Sequence, residues 1–143
     1  MLRNIPTILS PDLLWTLRAM GHGDDLVIAD ANFPATALGA RCHRLDGLTA
    51  TEVLQAVLTV LPLDKFVQHP ALVMQVVDDP EAVPSIVAEF QKITTTTADS
   101  PAKLDKLERF DFYDRAKTAF AIIQTGETRL YGNIILKKGV IGA

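Results

Sequence analysis

Leu26-Val27-Ile28-Ala29-Asp30 is a run of four apolar residues closed by a carboxylate. No polar residue alternates within it, so the strand it forms has no face meant for water. Such a strand belongs in a parallel sheet covered on both sides by helices. Asp30 stands at the strand's carboxyl end, where open α/β sheets hold their ligands. Upstream, Ser10-Pro11-Asp12 is a helix start, with Ser10 as cap and Pro11 at the first helical position. Leu13, Leu14, Leu17 and Met20 then share one helical face, and Gly21 is placed to take a left-handed cap just before His22. Downstream, Asn32-Phe33-Pro34 is a loop, because the residue before proline is pushed out of the helical region.

The same alternation continues along the chain. Asp46-Gly47 signals a turn, and Thr49 and Glu52 have capping-box spacing. Val53, Leu54, Val57, Leu58 and Leu61 carry the helical period up to Pro62. Leu72 to Val77 reads as a second buried strand. Asp79-Pro80 opens a helix through about Lys92, with Pro84 in its first turn. Thr94 to Thr97 suits either a strand or a loop. Leu104 to Arg109 reads as a strand, and Asp111 caps a short helix through Lys117. Ala119 to Gln124 and Ile134-Ile135-Leu136 complete the strands. With no repeat and no linker, the expectation is one α/β domain over residues 1–143, three-layered, with a mainly parallel sheet flanked by helices.

Composition excludes several function classes. The chain has 143 residues and a net charge of −3, so it offers no broad basic field for nucleic acid. Its single cysteine, Cys42, forms no intrachain disulfide, and no CxxC pair is present to hold zinc. The first dozen residues lack the basic start and apolar core of a secretory signal, and no apolar run approaches a membrane span. A cytoplasmic protein is expected. Hydrophobic residues make up 48% of the chain, and mean hydropathy is +0.20. Counting glycine and omitting tyrosine gives about 52%, above the roughly 45–50% usual for globular domains. A small domain has too much surface for its volume to hide that excess inside. A homo-oligomer is therefore expected, hiding part of it between subunits.

Polar clusters sit at the element ends. His22 lies between Gly21 and Gly23, which leave its ring open to a ligand. An unperturbed imidazole titrates near pH 6.5, so it can give or take a proton at neutral pH; the alternative role is a helix C-terminal charge. His43 and His69 lie among polar or loop residues and read as solvated. Three scattered histidines without ligand spacing do not suggest a metal site. Asp30 can orient a sugar hydroxyl or cap its own turn. Tyr131 can donate a phenolic proton or simply pack, and Asn133 offers a donor and an acceptor, which suits a diol. Arg109 can fork to hydroxyls, brace Asp30, or pair with Glu108 or Asp111. Lys137-Lys138 reads as a solvated strand end. Tyr131 and Asn133 begin a strand, so they reach the Asp30 end only if that strand is antiparallel or belongs to a neighbouring subunit. No P-loop, GxSxG or complete dinucleotide fingerprint is present.

Taken in order, four segments resemble the RbsD/FucU family of sugar mutarotases. They are Met20-Gly21-His22-Gly23-Asp24, Asp30-Ala31-Asn32-Phe33-Pro34, Arg109-Phe110-Asp111-Phe112-Tyr113, and Tyr131-Gly132-Asn133 running on to Val140. The resemblance spans nearly the whole chain. It is greater to the L-fucose mutarotase branch than to the D-ribose pyranase branch, which resembles Gly-His-Thr-Asp, Asp-Ala-Gly-Leu-Pro and Tyr-Ala-Asn at these places. The pair Phe112-Tyr113 suits the apolar side of a 6-deoxy sugar. Some members of the fucose branch carry histidine where Asn32 stands, so Asn32 is given no acid–base role.

The resemblance implies that His22 is the proton donor; the phenol of Tyr131 is the expected partner on the opposite side of the sugar. It implies sugar contacts at Asp30, Arg109, Tyr131, Gly132 and Asn133, and Tyr113 of the aromatic pair is expected to add a packing contact. It also implies ring-shaped homo-oligomers, often decamers, whose sites are completed by a neighbouring subunit. The activity implied is interconversion of the α and β anomers of L-fucose, an isomerase reaction needing one acid, one base and no cofactor. A D-ribose pyranase, a broad mutarotase, or a sugar-binding accessory protein that does not turn over are the alternatives.

Overall fold

A computed structural model of the chain describes residues 1–142. The elements in order are α1 (Pro11–Ala19), β1 (Asp25–Ala29), α2 (Ala35–Leu38), β2 (Cys42–Leu45), α3 (Ala50–Leu58), β3 (Ala71–Met74), α4 (Ser85–Thr97), β4 (Asp105–Leu107), α5 (Arg109–Thr118), β5 (Ala121–Thr125) and β6 (Ile134–Lys137). The six strands form one sheet in the order β2-β5-β1-β6-β3-β4. Each pairing is parallel except those of β6, which runs against both β1 and β3. The sheet is mixed and mostly parallel, and helices cover both faces.

The period of two within β1 separates the layers. Leu26 and Ile28 face one core with Leu13, Leu17, Val53, Val57, Ile86 and Phe90, which come from α1, α3 and α4. Val27 and Ala29 face the other, with Ala35, Phe112 and Ala116 from α2 and α5. All four apolar side chains of β1 are fully buried, as an uninterrupted apolar run requires. Each large side chain buried this way contributes about 1.5–3 kcal/mol before entropy is counted. No helix among the described residues is long and apolar enough to cross a membrane.

Several local expectations change. Met20, not Gly21, is the C-cap of α1, and the left-handed residue is Gly23, with φ +84°. The helix expected from Asp79 begins at Ser85, with Pro84 as its N-cap, because Asp79 to Ala82 close a turn of their own. Thr94 to Thr97 are its last turn. There the hydroxyls of Thr95 and Thr96 donate back to the carbonyls of Gln91 and Lys92, which reconciles threonine with a helix. Helix α3 starts with the expected capping box but ends at Leu58, short of Leu61. Glu108, not Asp111, caps α5, accepting from the N–H groups of Phe110 and Asp111. Helix α2 and edge strand β2 were not expected.

His43 also differs from its reading. It lies in β2 with Nε2 2.7 Å from Thr16 Oγ1, and burial pushes its pKa down despite the nearby Asp12 charge. Lys138 is no solvated end. Its Nζ donates to the carbonyls of Leu17 (2.7 Å) and Met20 (2.6 Å), capping α1. Lys137 Nζ donates to Gly23 O and pairs with Asp25.

The loop from β5 to β6 is pinned by a buried carboxylate. Glu127 is held by Arg129 Nε and Nη2, both at 2.9 Å, and Arg129 Nη1 reaches Glu89 at 2.8 Å. Arg129 holds the Glu127 carboxyl below the usual carboxylate range, against the opposing effect of burial. Its contribution to stability is therefore complete above the unfolded value of about 4.3 and is lost as pH falls through the lower folded value. Glu127→Gln should lower stability at neutral pH by about 1–3 kcal/mol. Its melting temperature should fall less than that of the wild type between about pH 5 and pH 3. Parallel melting curves against pH for the two proteins would contradict this assignment.

Candidate active site

The carboxyl end of β1 carries the first group of polar residues. Asp30 is 5% exposed and makes the turn that leaves the strand: its Oδ1 accepts from Asn32 N at 2.9 Å. Asn133, the residue before β6, clamps it. Asp30 N donates to Asn133 Oδ1 at 2.9 Å, and Asn133 Nδ2 donates to Asp30 Oδ2 at 2.8 Å. The antiparallel course of β6 makes this possible within one chain, since it brings the start of β6 beside the end of β1. Gln124 holds the loop that follows, donating through Nε2 to the carbonyls of Ala31 and Phe33, while Arg44 Nη1 donates to its Oε1. Sequence reading missed Gln124. Its only signal is a polar residue at the end of an apolar strand.

Tyr131 and Gly132 are fixed by sterics. Tyr131 has φ +64°, a left-handed conformation that costs a non-glycine residue about 1–3 kcal/mol. Its Oη accepts from Val77 N at 3.1 Å, which leaves the phenolic hydrogen free to point elsewhere. A Cβ on Gly132 would lie 2.8 Å from Glu127 Cγ and 3.3 Å from Asp30 Cβ, so no larger residue fits without displacing the pinned loop.

These residues line a cleft of about 200 Å³. Asp30, Asn32, Arg109, Tyr131 and Asn133 supply polar groups, while Phe33, Met74, Val77, Tyr113 and Leu130 supply apolar wall. Arg109 is the first residue of α5. Its Nε is buried without a hydrogen-bond partner, and no ion pair joins it to Glu108 or Asp111 among the described residues. An unmet buried donor of this kind costs about 1–3 kcal/mol. Phe112 departs from its expected place: it is fully buried and packs edge-on against Phe33, so Tyr113 alone of that pair faces the cleft.

His22 is elsewhere. It occupies the turn before β1, at the opposite end of the sheet. Five strand residues separate that turn from Asp30, roughly 16 Å at about 3.3 Å per residue. Within one chain the imidazole and the Tyr131 phenol therefore do not meet. Gly23 N donates to Lys138 O, and Gly21 N donates to Asp24 Oδ2. The turn is thus firmly held while the His22 side chain stays 46% exposed.

A residue not foreseen completes this second group. Asp64 is buried and lies 3.1 Å from His22 Nε2 through Oδ1, which also accepts from Phe66 N at 3.0 Å. The Phe66 N–H, and then the His22 ring, hold the Asp64 carboxyl below its usual range although burial opposes them. An ionised carboxylate only accepts, so Nε2 carries the hydrogen of the neutral ring and Nδ1 is left to exchange protons. Forty-two positions separate the two residues, and no spacing rule links them. Nothing but a lone carboxylate in the apolar context Leu61-Pro62-Leu63-Asp64 marked the place.

His69 stays near the surface, 3.9 Å from Asp105. Among the described residues, no group of three or more His, Cys, Asp or Glu side chains converges where a metal could be held.

Known proteins resemble the whole chain. It is 48% identical over 146 residues to a fucose mutarotase of Mus musculus, covering 98% of this chain and 95% of that relative. The crystal structure of the fucose mutarotase of Streptococcus pneumoniae in complex with L-fucose is 42% identical, with a TM-score of 0.91, covering 99% of this chain and all of that one. RbsD of Bacillus subtilis, solved with D-ribose, shares the fold at a TM-score of 0.77 and 23% identity, covering 99% and 100% of the two chains. With its family model matching residues 3–141, the chain belongs to the RbsD/FucU transport protein family.

Proposed function

We propose that this chain interconverts the α and β anomers of L-fucose by acid–base opening and closure of the ring. The observation that carries the reading is the half-exposed imidazole of His22 backed by the buried Asp64 carboxylate. That pair presents a proton-exchanging nitrogen in a fixed orientation. The sugar named with the Streptococcus pneumoniae relative supports the choice of substrate.

Ring opening moves a proton onto the ring oxygen and removes one from the anomeric hydroxyl. The bond between C1 and the ring oxygen breaks, leaving an aldehyde at C1 and a hydroxyl at C5. Rotation about C1–C2 presents the other aldehyde face, and closure reverses both transfers. His22, in its imidazolium form, gives the Nδ1 proton to the ring oxygen, while the anomeric hydroxyl passes its proton to the Tyr131 oxygen as the phenolic hydrogen moves on to water. Asp30, Arg109 and Asn133 hold the hydroxyls that do not react, Asn133 with the amide hydrogen and lone pair it has not spent on Asp30. Gly132 lets the backbone approach, and Tyr113 packs on the sugar. Asp64 orients the imidazole through Nε2. Positioned acid–base groups supply typically 10²–10⁴-fold, roughly 3–5 kcal/mol of barrier. No cofactor is required for such a reaction.

The separation of His22 from Tyr131 supports a site shared between copies, with the imidazole of one subunit over the cleft of another. Exposed Trp15 (61%), Phe66 (76%), Leu130 (68%) and Ile141 (84%) support burial of apolar surface in an assembly. The reading is a ring-shaped homodecamer of the cytoplasm.

Magnetisation exchange between the anomers of L-fucose tests the activity. The wild type should exceed buffer, and exceed its own rate on D-ribose. Wild-type protein with no excess exchange would end the enzyme reading. His22→Ala should lose at least about 10²-fold while still binding sugar; full retention would make His22 structural. Asp64→Asn should lose on the order of tenfold or more at neutral pH. Because the Asp64 pKa is lowered, the advantage of wild type over Asp64→Asn should persist until pH falls below the ordinary carboxylate range and then shrink as Asp64 protonates. An Asp64→Asn profile identical to the wild type would remove Asp64 from the mechanism.

A further inference from the structure

Phe66 has no part in the reaction described above, yet its placement is specific. Its ring lies 5.6 Å from the His22 ring, tilted by 58°, and is 76% exposed. Its backbone N–H and His22 Nε2 share one acceptor, Asp64 Oδ1. A single carboxylate oxygen thus ties the imidazole to the backbone that carries the aromatic ring. The base beneath them is stiff. Asp64 N donates to Lys137 O, Leu63 bridges to Lys138, and a Cβ on Gly139 would lie 2.3 Å from Leu63 O. A large apolar ring held out in water beside a proton donor gains nothing until something apolar covers it.

We propose that Phe66 is a specificity-determining residue that covers the C5 methyl group and adjoining C–H face of a 6-deoxy sugar. The inference rests on the reading that His22 serves the ring oxygen. That oxygen is bonded to C5, and C5 carries the methyl, two bonds from the atom the imidazole addresses. A ring 5.6 Å from the imidazole stands where the methyl arrives. In a sugar of galacto configuration the C–H bonds of C3, C4 and C5 gather on one face, giving an aromatic ring an apolar surface to stack on. Phe112 cannot serve this purpose because it is fully buried. Tyr113 and Phe33, in contact at 5.5 Å between centroids, belong to the other half of the site. Phe66 therefore travels with the catalytic imidazole and reads the carbon next to the reacting oxygen.

The test compares L-fucose with D-arabinose, which in its pyranose form has the same ring and hydroxyl configuration without the methyl. Exchange of L-fucose anomers is followed for wild type, Phe66→Ala and Phe66→Tyr. Affinity for D-arabinose is read as inhibition of that exchange, whether or not D-arabinose is itself turned over. Phe66→Ala should lower kcat/KM for L-fucose roughly tenfold, mainly through KM, as expected for a methyl contact in an apolar site. Its D-arabinose inhibition constant should change less than about twofold, and Phe66→Tyr should keep the wild-type preference. Equal losses for both sugars, with or without a fall in assembly mass by light scattering, would overturn the proposal, as would no change for either. Failure of the underlying reading looks different: the wild type would show no exchange, or His22→Ala would keep it.

Discussion

Strand β6 enters the sheet between β1 and β3 and runs against both. The rest of the molecule depends on that one reversal. Its first end delivers Tyr131, Gly132 and Asn133 to the Asp30 turn, where Asn133 and Asp30 exchange two hydrogen bonds. Its other end delivers Lys137 and Lys138 to the His22 turn, where they bind carbonyls of Gly23, Leu17 and Met20. One four-residue strand therefore braces both polar groups. A parallel β6 would put each of its ends at the wrong edge of the sheet and leave Asp30 without its clamp.

The reversal also explains why the chain holds two separate polar clusters rather than one. The antiparallel strand ties each cluster to its own end of the sheet, and the sheet is rigid because both its faces are packed. No local motion closes a gap of roughly 16 Å. Under the proposed function, catalysis and assembly become the same requirement: the imidazole is useful only when another copy brings a cleft to it. That requirement accounts for an otherwise costly surface. Phe66 beside His22, and Leu130 and Val77 beside the cleft, are exposed in the single chain. A protein that functioned as a monomer would gain solubility by making them polar.

Much of this was legible from residue order. Unbroken apolar runs at β1, β3, β5 and β6 marked buried strands, and the capping box Thr49–Glu52 marked α3, because these signals are local. Features set by distant partners were not legible. Edge strand β2 carries His43, Arg44 and one partly buried leucine, so its pattern never separates from a loop, and it exists because β5 offers it a partner. Thr94 to Thr97 are helical because packing at Thr94 and back-bonding at Thr95 and Thr96 outweigh threonine's preference for strands. Of the polar residues in the cleft, Asp30, Arg109, Tyr131 and Asn133 were named from sequence, since short polar clusters at strand ends stand out. Asp64 did not stand out, because its meaning lies in a hydrogen bond across the sheet end to His22. The direction of β6, which decides whether the two halves meet, is a property of topology that no run of residues encodes.

Under the proposed function, each working site joins the imidazole of one subunit to the phenol of another. Co-expression of His22→Ala with Tyr131→Phe in equal amounts tests it, since each is inactive alone under the proposed mechanism. If sites are shared between copies, random assembly rebuilds an intact site in about a quarter of positions, so L-fucose anomer exchange should return to about 25% of wild type. If each chain builds its own site, every site carries a defect. Exchange in the mixed assembly no higher than in the separate variants would contradict the account.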